Sequence, residues 1–148
     1  MSNSRALTFN EEWALIGTID PDANATGATN SDVIDMSKFD EVVFIVCAGI
    51  LGTAATLDFK VQESATSGGT YTDISGASIA QLVKASNDDD QAILSIKGSS
   101  LSDGMQFIRG VHTIGAATSD SGVTILGRAK NLPASDYNLA SVVESKAA

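Results

Sequence analysis

LDFKVQESATSGGTYTDI, residues 57–74, decides the fold. Leu57, Phe59 and Val61 alternate with Asp58, Lys60 and Gln62. A period of two belongs to a strand with one buried and one wet face. The alternation stops at Ser64-Ala65-Thr66-Ser67-Gly68-Gly69, where paired glycines open backbone conformations closed to other residues. Tyr71, Thr72 and Ile74 then resume a β-prone run. The stretch predicts a β-hairpin with a loop longer than a tight two-residue turn. That loop is expected to be exposed.

Working outward, residues 41–48, EVVFIVCA, form a continuous apolar run rich in β-branched side chains. This predicts a strand covered on both faces, or one whose outer face meets another subunit. Further strands are expected at 13–19, 77–84, 91–97, 106–114 and 123–128, with a short extended piece at 33–36. Gly110 inside 106–114 marks a bulge or a close backbone approach. Residues 20–32, 37–40, 49–55, 75–76, 87–90 and 115–122 read as loops and turns. About eight short strands at this spacing, with no βα alternation, predict an all-β protein. The expected form is a single antiparallel β-sandwich or jelly-roll-like domain over residues 13–130.

The ends differ. Residues 1–12 are polar apart from Leu7 and Phe9 and read as an N-terminal arm. From Asn131 onward, Pro133 stops the last strand. Ser135 is expected to cap a short helix carrying Leu139, Val142 and Val143, so residues 131–148 read as a C-terminal arm. Leu7, Phe9, Leu132, Tyr137, Leu139, Val142 and Val143 are the candidate partner-binding residues. Alone, such segments bury too little apolar surface to offset about 1–2 kcal/mol of entropy per backbone residue fixed.

The chain has 148 residues, of which 43% are hydrophobic, enough for one domain with a real core. A formal net charge of −9 and nine scattered basic residues argue against a nucleic-acid partner. No apolar run approaches the roughly 20 residues of a membrane span, and the first residues hold no signal core. The single Cys47 is expected to be a small buried hydrophobe, in a chain made and kept in the cytosol until assembly or release.

Catalytic chemistry leaves little trace. His112 is the only histidine and reads as structural, and one Cys with one His cannot build a zinc site. Asp88-Asp89-Asp90 lacks the spaced acids, glycine and glutamate of a calcium loop and reads as a solvated turn. Gly68-Gly69-Thr70 and Lys97-Gly98-Ser99 lack phosphate-loop spacing. No enzyme activity, cofactor or metal is expected.

Four stretches in order, DMSKFDEVVFIV (35–46), LDFKVQESATSGGTYTDISGA (57–77), NDDDQAILSIKG (87–98) and GVTILGRAKNLPASDY (122–137), resemble a group of small tailed-bacteriophage virion proteins. The group looks like capsid decoration, or cement, proteins. The resemblance spans roughly residues 33–137. It implies a capsid-surface location after assembly in the host bacterial cytoplasm, with the major capsid protein as partner. The role it implies is stabilising the head by bridging capsomers. A homo-oligomer is expected, with a trimer first because capsids present three-fold positions. The alternative is a phage tail or fibre-associated sandwich module that binds a host glycan.

Overall fold

The computed structural model describes residues 6–147. They form two packed antiparallel sheets. The first holds β1 (Trp13–Asn24), β10 (Ser119–Ala129), β4 (Phe39–Ala48) and β8 (Gln91–Lys97), in that order. The second runs β2 (Gly27–Asn30), β9 (Phe107–Gly115), β5 (Thr56–Ser64) and β6 (Thr72–Ser78). Two short strands extend its edges. β3 (Ile34–Asp35) pairs with β9 beyond β2, and β7 (Leu82–Val83) pairs with β5 beyond β6. With each edge pair taken as one strand, the sheets read first–eighth–third–sixth and second–seventh–fourth–fifth. This interleaving is a jelly roll, the all-β sandwich expected from the sequence.

The organising strand behaves as its alternation requires. Leu57, Phe59 and Val61 are buried, while Asp58, Lys60 and Gln62 stay partly exposed on the opposite face. Residues 65–70 of the hairpin loop are exposed. From the facing sheet, Phe44 of β4 meets Phe59 at 5.5 Å between ring centroids, tilted by 49°. Gly110 of β9 makes room for that pair. A Cβ there would lie 2.6 Å from Phe59 Cζ and 3.3 Å from Phe44 Cε1. The glycine is a close approach of backbone to ring, and β9 pairs with β5 through it without a shift of register.

Several segments depart from the expected pattern. Residues 20–32 are not a loop, because β1 runs on to Asn24 and β2 follows. These strands are held by backbone pairing with β10 and β9, while most of their side chains face water. They therefore leave no apolar periodicity to read. Pro21 falls where the β1 register shifts between Ile19 and Asp22, where a strand tolerates proline. Ser75-Gly76 is not a turn either. It lies inside β6, where Gly76 takes a φ of 78° beside a register shift against β5. The 77–84 strand is split, and 115–122 narrows to a turn between Gly115 and Ser119. Residues 37–40 divide between a 3-10 turn, Met36–Lys38, and the start of β4.

Cys47 is exposed, against expectation. Val42, Phe44, Val46 and Ala48 of β4 point inward, so Cys47 must point out with Val43 and Ile45. Both faces of this strand are apolar, which hides its parity in the sequence.

The C-terminal helix is also corrected. The chain makes only a 3-10 turn, Ala134–Tyr137, which begins after Pro133 and is not capped by Ser135. Leu139, Val142 and Val143 follow in turns and irregular chain, off any helical stripe.

Candidate functional site

Both ends of the described chain gather at the β1 edge of the four-stranded sheet. At one end, the helical turn Phe9–Glu12 is closed by a capping box. Thr8 N–H donates to Glu11 Oε2 at 2.8 Å, and this bond, with one from the Thr8 hydroxyl, holds the Glu11 carboxyl below its ordinary pKa. The Phe9 ring lies parallel to that of Trp13, 6.5 Å between centroids. At the other end, Ala134 is fully buried and Tyr137 packs edge-on against Phe39 at 5.5 Å. Leu15 N–H donates to Asn138 Oδ1, and Leu139 N–H donates to the Leu15 carbonyl, both at 2.9 Å. The tail therefore satisfies both outward backbone groups of Leu15 on the β1 edge.

The residues picked out from sequence thus divide. Tyr137, Leu139, Leu7 and Val142 are half-buried. Phe9 and Leu132 are each 54% exposed, and Val143 is 99% exposed. Of the N-terminal arm, residues 1–5 lie outside the described residues.

A second surface was not resolved into residues by the sequence. Strand register places Leu15, Leu126, Val43 and Ser95 in one row across the outer face of the four-stranded sheet. The next row is Thr18, Thr124, Ile45 and Ile93, and Cys47 lies beyond Ile45. Ile93 is 71% exposed, and Leu15, Leu126, Val43 and Ile45 are only partly covered. The result is a contiguous apolar stripe facing water, of the kind that marks interaction surfaces. A polar row, Trp13, Arg128, Glu41 and Lys97, closes one end. There Arg128 lies 5.9 Å over the Trp13 ring and 3.7 Å from Glu41. The signal available beforehand was the excess of apolar residues in 42–48.

The outer face of the other sheet is polar. The Arg109 guanidinium sits 4.2 Å over the Tyr71 ring and donates from Nε and Nη2 to Gln62 Oε1. Gln62 Nε2 donates to Asp73, which also takes Lys60 Nζ at 2.8 Å. Those two bonds, the lysine's first, hold the Asp73 carboxyl below its usual range. Gln81 Nε2 bridges both oxygens of Asp58. Beside this network, Asp58, Lys60, Ser78, Ile79, Val111 and Thr113 line an open groove of about 380 Å³.

The chemical candidates occupy other places. Asp88 is not a free loop acid, since it accepts Leu51 N–H at 3.0 Å and pairs with Lys84. Among the described residues no group of three or more His, Cys, Asp or Glu side chains is placed to hold a metal ion. His112 is fully buried between the sheets, its Nε2 3.0 Å from Ser121 Oγ and its Nδ1 without a partner among the described residues.

Burial lowers the His112 pKa from 6.5. The unfolded chain therefore takes up this proton first. Stability from a neutral His112 is complete above about pH 6.5 and is lost as pH falls from there towards the lowered folded value. Asp73 and Asp88, also lowered, lose their contributions only below about 3.8. The melting temperature is accordingly expected to fall between pH 7.5 and 5. His112→Gln should flatten that fall in calorimetric scans, and an unchanged slope would show that another group titrates there.

No family model matches the chain, and nothing among curated proteins matches it. Among solved structures it is similar to a Family 11 carbohydrate-binding module from Clostridium thermocellum, determined in complex with a β-1,3-1,4-mixed-linked tetrasaccharide. The two are 17% identical with a TM-score of 0.32, over 87% of this chain and 94% of that one.

Proposed function

We propose that this chain is a non-enzymatic structural protein of a tailed-phage particle. It decorates the head and bridges major capsid protein subunits. The observation that carries the reading is the outer apolar stripe Leu15–Leu126–Val43–Ile45–Ile93. Each such side chain fully withdrawn from water contributes about 1.5–3 kcal/mol, and those in the stripe are only partly covered in the monomer. An acidic body of net charge −9 suits a face turned away from packaged DNA. The order of strands and turns over 33–137 supports the same reading.

Heads assembled without the protein should retain the purified chain on co-sedimentation. Ile45→Asp, placed on the open face, should weaken retention at least tenfold at an unchanged melting temperature. Retention by isolated tails and not by heads would remove the reading.

The polar network of Arg109, Gln62, Asp73 and Lys60 favours a second reading, a tail-associated glycan-binding module. Oligosaccharide binding abolished by Arg109→Ala, in a chain that ignores heads, would put it first.

A further inference from the structure

Each sheet has two edges, and three of the four are broken or covered. β1 carries register shifts after Leu15 and Ile19, and the tail bonds both backbone groups of Leu15. The β2/β3 edge is interrupted at 31–33, and the β6/β7 edge at 79–81 with a further register shift. β8 differs. Its seven residues pair with β4 without a register shift. Even Ala92 and Leu94, which point inward, are only half-buried. Edge strands are normally blunted by charge, proline or bulges. β8, QAILSIK, carries one charge at its very end and Ile93 exposed at its centre.

The parity of its backbone groups follows from one bond. Ala48 N–H donates to the Asp90 carbonyl at 2.9 Å, so Asp90, Ala92, Leu94 and Ile96 direct their groups towards β4. Gln91, Ile93 and Ser95 direct theirs off the open edge. The Lys97 N–H agrees, since it turns away from β4 to Ser100 Oγ.

We propose that β8 pairs antiparallel with β8 of a second copy across a two-fold axis at Ile93, joining the two four-stranded sheets into one of eight. In this register Ile93 faces its own copy, and Gln91 faces Ser95 of the other chain. Beyond Gln91 the seam ends, because Asp89 sits in a turn at a φ of 60° with its N–H bonded to the Gly49 carbonyl. Seven residues at about 3.4 Å each make an edge about 24 Å long. Across the depth of two sheets this gives about 1,000 Å² of total buried surface, the lower bound for a specific interface. A two-fold seam between like edges closes at two copies. A three-fold ring needs a second open edge to receive β8, and the described residues offer none of comparable length and regularity.

The pairing is measurable in pure protein, without heads. Sedimentation of the full chain from about 1 to 500 µM should show a monomer–dimer equilibrium, with Kd of about 1–100 µM for an interface of this size. Ile93→Lys, at a side chain exposed in the monomer, should raise Kd at least tenfold and leave melting in dilute solution unchanged. In a Cys47→Ser background, Ile93→Cys should oxidise to a covalent dimer. A monomer at every concentration, a trimer, or a dimer indifferent to Ile93→Lys would overturn the proposal.

Discussion

Replacing Phe59 by alanine is expected to cost about 3–5 kcal/mol of unfolding free energy, the range for a large aromatic lost from a packed core. Phe59 is 2% exposed and bridges the two sheets through Phe44. The ring packs over Gly110, diagonal to it on β9, which has no side chain to relax into the space, while His112 is the residue paired directly opposite. The cavity should therefore stay open, and the cost should sit at the upper end of the range. Small domains hold only about 5–15 kcal/mol in total, so denaturant unfolding will register the change as a large drop in midpoint. The local geometry also sets a coupling. Gly110→Val alone should destabilise by about 1–3 kcal/mol through overpacking. In the Phe59→Ala background the valine should recover part of the loss, because it enters the vacated space. A loss under about 1 kcal/mol for Phe59→Ala would mean that the ring does not join the sheets.

Removing residues 133–148 is expected to lower the melting temperature by about 10 °C, following a loss of about 2–4 kcal/mol. The deletion takes away buried Ala134 and the Tyr137 ring packed on Phe39. It also leaves the Leu15 N–H and carbonyl without their partners from Asn138 and Leu139. Each backbone hydrogen bond contributes about 0.5–1.5 kcal/mol, and an aromatic pair about the same beyond its burial. Removing only 140–148 should change melting by no more than about 2 °C, because that segment is largely exposed. Equal melting for the two deletions would show that the tail does not support the β1 edge.

These two regions also show what a sequence can carry. The burial of Phe59 was legible because large apolar residues alternated with polar ones over six positions. The end of β1 and all of β2 were not, because backbone pairing and polar bonds such as that of Asn24 to Ser121 hold them and most of their side chains face water. The tail read as an arm because Leu139, Val142 and Val143 stand at helical spacing in a single stripe too small to be a core. Their packing depends on Leu15, more than a hundred positions away. The two candidate faces were hidden for a related reason. Arg109, Gln62 and Tyr71 meet only once β9, β5 and the hairpin are in register. The outer stripe gathers five residues from four strands, and only the two from β4, Val43 and Ile45, stood in a segment with an apolar excess.

The pairing of β1 with β10 sets an order of events during synthesis. Trp13 finds its partner only at Arg128, so the first strand waits for nearly the last to emerge from the ribosome. Until then β4, apolar on both faces, lacks β10 on one side, and before Lys97 it lacks β8 on the other as well. Contacts this distant in sequence make folding slow and leave sticky intermediates exposed. The delay between the synthesis of β4 and that of β10, and the chaperones that cover β4 meanwhile, should therefore govern the yield of soluble protein.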